Sequence, residues 1–155
     1  VVSCGDVMHS RVARSDIYGM QKMGIDVHLA GPRTLVYPEM EKMGVTVHHD
    51  IREALEGADV VNVLRIQLER INSALYPTNR EYARIFGINS EVLKAAKPDV
   101  MVMHPGPMNR GLEISHDVAY SEESVIQEQV RNGVAIRMAV LYLTINGGDG
   151  SEIAD

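Results

Sequence analysis

Two short runs in this sequence are apolar at nearly every position: Val60-Val61-Asn62-Val63-Leu64 and Val100-Met101-Val102-Met103. A strand with one face in water alternates apolar and polar side chains. A run like these suits burial on both faces, as in a parallel sheet covered by helices. Three further runs, over residues 1–4, 26–30 and 46–48, read as strands. Helical patterns lie between them. From residue 10 to 23 the apolar side chains fall at Val12, Ala13, Ile17, Met20 and Met23, one face of a helix, with Gly24 as its stop. Asp50 is placed to cap a short helix carrying Ala54 and Leu55, with Glu53 where a capping box wants it. Residues 75–86 and 89–96 supply two more helices, ended by Gly87 and Pro98. Strands alternating with helices predict an α/β fold. We expect a doubly wound, mostly parallel five-stranded sheet, Rossmann-like, with helices on both faces and right-handed crossovers.

The segment 134–145 follows another rule. It is apolar almost all round, so as a helix it must be covered on more than one side, by a second domain or another subunit. At this length, burial inside protein is favoured over a membrane. The chain has 155 residues, enough for one domain, which we set at 1–146. Its tail, 147–155, is flexible by its Gly, Asp and Ser content. The chain opens Val1-Val2-Ser3-Cys4 without an initiator Met and inside a strand, which reads as a cut at a domain boundary. The net charge of -6, from 15 basic and 21 acidic side chains, argues against a nucleic-acid or anionic-membrane surface. One cysteine, Cys4, cannot pair internally, which suits a reducing, cytoplasmic setting.

Three polar clusters each follow a predicted strand: residues 5–15, 65–70 and 104–111. In open parallel sheets, ligands bind beyond the carboxyl ends of strands where the strand order reverses. With the order 3-2-1-4-5, strands one and four flank that point and strand five lies beside strand four, so the clusters line one rim. Arg11 and Arg65 offer forked cationic donors suited to carboxylates. Gln67, two residues from Arg65, faces the same side of an extended segment. In Pro105-Gly106-Pro107 two of three residues lack an N–H, so the stretch presents carbonyl acceptors suited to an amine. A small dicarboxylate with an amino group fits such a rim. Taken singly, each has a blander reading. An arginine at a strand end is usually solvated or structural. Arg14, Arg70 and Arg110 read as structural or domain-linking, and His9 and His104 as loop hydrogen-bonders. His48-His49 do not form a metal pair, because neighbours on a strand point apart. Gly5-Asp6 lacks the spacing of a dinucleotide loop, so NAD binding is rejected despite the fold. Neither cofactor nor metal is called for.

Together, GDVMHSRVARS, VLRIQLER, HPGPMNRGLEI and NGVAIRMAVL resemble motifs of aspartate carbamoyltransferase catalytic chains, in the family's order and over residues 5–143. The related ornithine enzymes carry a Cys-containing loop where this chain has His104-Pro105-Gly106-Pro107, and lack the Arg-x-Gln-x-Glu-Arg run. The resemblance implies the aspartate-binding half of the enzyme. The carbamoyl-phosphate half, with its Ser-Thr-Arg-Thr segment and polarising histidine, is not in this sequence. By resemblance, Arg11 binds the α-carboxylate of L-aspartate, and Arg65 and Gln67 hold the side-chain carboxylate. Backbone groups at Pro105 and Gly106 meet the carbamoyl and amino groups, with Gly106–Pro107 as a cis bond. Glu69, Arg70 and Arg137 match positions that hold the closed state. Gly106 stands where other branches have Leu, which removes a side-chain contact. The family implies a homotrimer of catalytic chains, with regulatory or dihydroorotase chains as further partners. Two other readings stand beside it: a non-catalytic assembly module, and a transcarbamoylase for another amino acid.

Overall fold

The structure, a computed structural model, describes residues 1–70, 76 and 78–146; of Arg70 it describes the backbone alone. The expected flexible tail over 147–155 lies outside the described residues. The helix expected over 75–86 starts later than its pattern, at Asn79, because Thr78 is in extended backbone and caps it.

Five strands form one sheet: β1 (Val2–Gly5), β2 (His28–Ala30), β3 (Thr46–His48), β4 (Val60–Leu64) and β5 (Met101–Met103). Their order is β3-β2-β1-β4-β5 and all four pairings are parallel. The expected order 3-2-1-4-5 is therefore the observed one, and the direction in which successive strands are added reverses between β1 and β4. The register sets Val2 opposite Val61 and Gly5 opposite Leu64, so β1 and β4 end level with each other.

Helices cover both faces because successive strand residues point to opposite sides. One core gathers Val2, Cys4, Val61, Val63 and Val102. It lies under α2 (Ile51–Leu55), α4 (Ser90–Leu93) and α5 (His116–Ala119), whose buried residues include Leu55, Val92 and Val118. The other core gathers Leu29 and Leu64 with Ala13 and Ile17 of α1 (Arg11–Lys22), together with Val7, Val36 and Val45. On this face β4 carries Asn62, whose amide donates to Asp16 of α1 at 2.9 Å. Desolvation raises the Asp16 pKa, and the Asn62 hydrogen bond works against that rise. A third cluster sets Ile66 beside Leu35, Leu112 and Tyr82 of α3 (Asn79–Phe86).

Local chemistry fixes the helix starts. Ser10 caps α1 by accepting from the Ala13 amide at 3.1 Å. Asp50 caps α2 by accepting from the amides of Arg52 and Glu53. Thr78 and Asn89 do the same for α3 and α4. The helix expected over 89–96 is shorter than its pattern: α4 ends at Leu93 and the chain continues as turns to Pro98. The C-terminal helix is longer than expected. α6 runs Ile126–Ile145, starting eight residues before the apolar segment. Its first turns are too polar (Gln127, Glu128, Gln129) to stand out by hydropathy, and Gly133 breaks the pattern without breaking the helix. Along α6 only Ile126 is buried, and Val134, Ile136, Met138, Leu141 and Tyr142 are all more than half exposed. Among the described residues, no helix is long and apolar enough to cross a membrane.

Two measurements check this packing. Cys4 is fully buried, and desolvation pushes its thiol from 9.0 up to about 12. Native protein should resist alkylation at pH 8 and react once unfolded. Between pH 9 and 12 the unfolded thiol ionises while the folded one stays protonated, so this group costs stability as pH rises. A Cys4→Ala variant should lose less stability over that window, read by denaturant titration at each pH. Asp50→Ala should cost about 1 kcal/mol in the same assay, and Asp50→Asn much less, because asparagine still accepts from the α2 amides.

Candidate functional site

Gly5 ends β1 with φ +120, and a Cβ there would lie 2.5 Å from the Leu64 carbonyl oxygen. Only glycine lets β1 run this close to β4 and then turn out of the sheet. The next residue, Asp6, is fully buried. Its carboxylate accepts from the His9 amide at 3.2 Å, from the His9 ring Nδ1 at 2.8 Å and from the Gln67 amide at 3.2 Å. Gln67 replies through its side chain, donating from Nε2 to the His9 carbonyl at 2.9 Å. The loops after β1 and β4 are thus bound to each other on both sides of a buried acid.

Arg11 is the first residue of α1 and is exposed. A cation at a helix N-terminus works against the helix dipole, so its place is not explained by helix stability. Arg65 leaves the end of β4. Its two terminal nitrogens pair with the Glu69 carboxylate at 2.7 and 3.1 Å, while its Nε is buried without a hydrogen-bond partner among the described residues. The geometry is the two-pronged one that guanidinium makes with a carboxylate.

The third rim follows β5. Gly106 has φ +66 and its bond to Pro107 is cis. The Gly106 amide donates to His104 Nδ1 at 2.8 Å. His104 and Glu113 are both buried, with His104 Nε2 3.2 Å from Glu113 Oε1. The same Oε1 accepts from the Asn109 amide at 2.6 Å, and Asn109 Nδ2 donates to the Ile66 carbonyl at 2.8 Å. Tyr82, buried nearby, has its phenol pushed well above its usual value, first by burial and then by the charges of Cys4, Glu113 and Asp6.

His9, Ser10, Arg11, Val12, Arg65, Gln67, Pro105 and Gly106 line one open cavity of about 210 Å³. That lies below the roughly 300 Å³ at which drug-sized pockets begin, so its size suits only a small ligand. A larger cleft of about 430 Å³ lies at the other end of β5, but there Lys94 and Lys97 are already paired, with Glu91 and Asp59.

Of the sequence-derived candidates, Arg11, Arg65, Gln67, Pro105 and Gly106 meet at the small cavity. Pro107 sits one residue behind it. Glu69 reaches the site through Arg65. Arg137 lies exposed on α6 and does not line the cavity, and the side chain of Arg70 lies outside what is described. His48 pairs with His28 at 2.9 Å while His49 turns to the Gly31 carbonyl at 3.0 Å, so the two point apart as expected. Sequence reasoning assigned no part to Asp6, Asn109 or Glu113. The signal available was a lone acid set between apolar neighbours, in Gly5-Asp6-Val7 and Leu112-Glu113-Ile114, where an unpaired charge would be costly.

The comparisons agree with this architecture. An aspartate carbamoyltransferase catalytic subunit from Heliobacterium modesticaldum is 62% identical over 151 residues, 97% of this chain and 48% of the relative. Its counterpart in Desulforamulus reducens is 58% identical over 147 residues, 95% and 47%. The chain spans about half the length of the curated relatives it matches. Among solved structures, ornithine carbamoyltransferase from Pyrococcus furiosus superposes with a TM-score of 0.78 at 30% identity, covering 96% of this chain and 50% of that one. Aspartate transcarbamoylase from Trypanosoma cruzi, in complex with aspartate and phosphate, gives 0.69 at 26% identity, covering 91% and 46%. A family model described as "Aspartate/ornithine carbamoyltransferase, Asp/Orn binding domain" matches residues 1–144, and the chain belongs to that family.

Proposed function

We propose that this chain is the aspartate-binding half of an aspartate carbamoyltransferase, which moves the carbamoyl group of carbamoyl phosphate to the amino group of L-aspartate in pyrimidine biosynthesis. The observation that carries the reading is the convergence of Arg11, Arg65 and Gln67 with the Pro105–Gly106 backbone on one small cavity. Two guanidinium groups suit an acceptor with two carboxylates and disfavour ornithine, whose side chain ends in a cation. The names of the relatives at 58–62% identity point the same way.

In this reading Arg11 takes the α-carboxylate, and Arg65 with Gln67 takes the β-carboxylate. Arg65 already holds a carboxylate, that of Glu69, in the fork geometry an acceptor would require. Glu69 thereby orients the guanidinium, and the substrate either shares it or displaces Glu69. The carbonyls of Pro105 and Gly106 accept from the attacking amine and from the carbamoyl NH₂. The neutral amine attacks the carbonyl carbon of carbamoyl phosphate, a tetrahedral species forms, and phosphate leaves with the C–O bonding pair. The amine proton passes to the departing phosphate as the N–C bond forms and the C–O bond breaks. This half contributes orientation of the nucleophile and a cationic rim for the developing charge, with no covalent intermediate. The electrophile and its phosphate belong to the half that this sequence does not contain. Closure of the halves would engage Glu69, Arg70 and Arg137.

The exposed apolar flanks of α6 support assembly with such a second half or with further copies of the chain. By family resemblance the assembly is a cytoplasmic homotrimer, with regulatory or dihydroorotase chains as further associates.

Carbamoyl-aspartate formation by the full-length protein tests the reading. Arg65→Ala should lower kcat/KM for aspartate by about a hundredfold or more, and Arg65→Lys should recover little of it, because an ammonium cannot make the two-pronged contact. Unchanged activity in Arg65→Ala would remove the site assignment. Preference for ornithine in a panel of acceptors would remove the substrate. The assembly is checked separately by light scattering on the 155-residue chain, which should report association that mild detergent reverses.

A further inference from the structure

Glu113 and His104 are the most deeply buried ionisable pair beside the site, yet neither lines the cavity. Two buried polar groups are expensive to keep, and Glu113 Oε2 has no hydrogen-bond partner among the described residues. An apolar pair of similar volume would serve packing better. Something other than stability has to account for them.

The hydrogen bonds supply it. A backbone amide can only donate, so the Gly106 N–H at 2.8 Å requires a bare lone pair on His104 Nδ1. The ring proton is therefore on Nε2, where Glu113 Oε1 accepts it at 3.2 Å. A carboxylate behind an imidazole selects the tautomer in this way. The same Oε1 accepts the Asn109 amide, and the Asn109 side chain holds the carbonyl of Ile66, the residue between Arg65 and Gln67. One oxygen atom is thus two hydrogen bonds from each rim. Through His104 it reaches Gly106, which carries the carbonyl acceptors. Through Asn109 it reaches the segment that carries Arg65 and Gln67. His104 is tied a second time, its amide donating to Gln129 Oε1 of α6 at 3.0 Å.

We propose that Glu113 and His104 are positioning residues for the acceptor amino acid: they hold the Pro105–Gly106 carbonyls at a fixed span from the Arg65–Gln67 segment. The amine and the far carboxylate of the substrate are then gripped by two rims whose separation is set from behind. This rests on the functional reading above for the identity of the substrate. It does not rest on that reading for the existence of the relay.

Two substitutions separate positioning from packing. Asparagine sets an acceptor oxygen close to where Nδ1 was, and glutamine sets a donor close to where Nε2 was. His104→Asn keeps the Gly106 contact and abandons Glu113. His104→Gln keeps Glu113 and abandons Gly106. In the full-length protein, His104→Gln should melt near wild type yet lose on the order of tenfold or more in kcat/KM for aspartate. His104→Asn, which cuts the same path on the Glu113 side, should melt lower and also lose kcat/KM for aspartate by several-fold or more. Wild-type kcat/KM in His104→Gln, or loss of activity only in step with melting temperature, would make the pair structural only and overturn the proposal. Nitrogen-15 NMR on the 155-residue chain reads the relay directly. His104 should show an unprotonated Nδ1 with coupling across the bond to the Gly106 amide, lost in His104→Gln. A protonated Nδ1 in the wild-type chain also overturns the proposal. Wild-type protein that carbamoylates no aspartate would sink the functional reading alone, and the NMR result would still decide the relay.

Discussion

The Asp6 carboxyl group is the tie on which the site depends. The sheet brings β1 and β4 side by side and ends them level, but two parallel strands say nothing about how their loops meet. Asp6 settles that by accepting from both, binding His9 of the first loop and Gln67 of the second with one buried group. Without it the two loops would be separate surface turns, and Arg11 and Arg65 would have no common frame. A buried acid acts well here because it accepts only, has room for several N–H donors, and is costly to leave unpaired. The loops must come together to satisfy it.

Much of this was visible in the residues. The near-continuous apolar character of 60–64 and 100–103 implied strands covered on both faces, and the strand order followed from the topology such folds favour. Helix starts were legible because a cap is a local event: Ser10 and Asp50 each act on amides two or three residues away. The convergence of Arg11, Arg65 and Gln67 was legible because each closely follows a strand whose place in the sheet could be inferred. What stayed hidden was set by long-range contact. α4 stops at Leu93 although its apolar pattern continues, because the chain must turn toward β5. α6 begins at Ile126 because that residue packs under the sheet, a contact that a polar first turn does not advertise. The parts of Asp6, Asn109 and Glu113 were hidden for the same reason. Their partners lie across loops, and a lone acid in a sequence does not announce which amides it will face.

The site also illustrates a division of labour between exposed and buried polar groups. Residues that line the cavity include long, partly or fully exposed side chains, Arg11 and Arg65. Asp6, His104 and Glu113, behind it, are buried and hydrogen-bonded. Asp6 fixes one pair of loops and Glu113 fixes another, and the two networks share the Arg65-Ile66-Gln67 segment, gripped at Ile66 by Asn109 and at Gln67 by Asp6. A cavity built this way keeps its shape without having to be filled.

The apolar helix α6 carries a consequence for the life of the protein in a cell. A surface that finds its cover only through association makes folding free energy depend on the concentration of whatever covers it. Copies made in excess of their counterpart would keep a sticky flank in water, open to chaperones and proteases. In the proposed assembly, supply of the chain and supply of its counterpart would then be balanced by turnover, with the helix setting the stoichiometry.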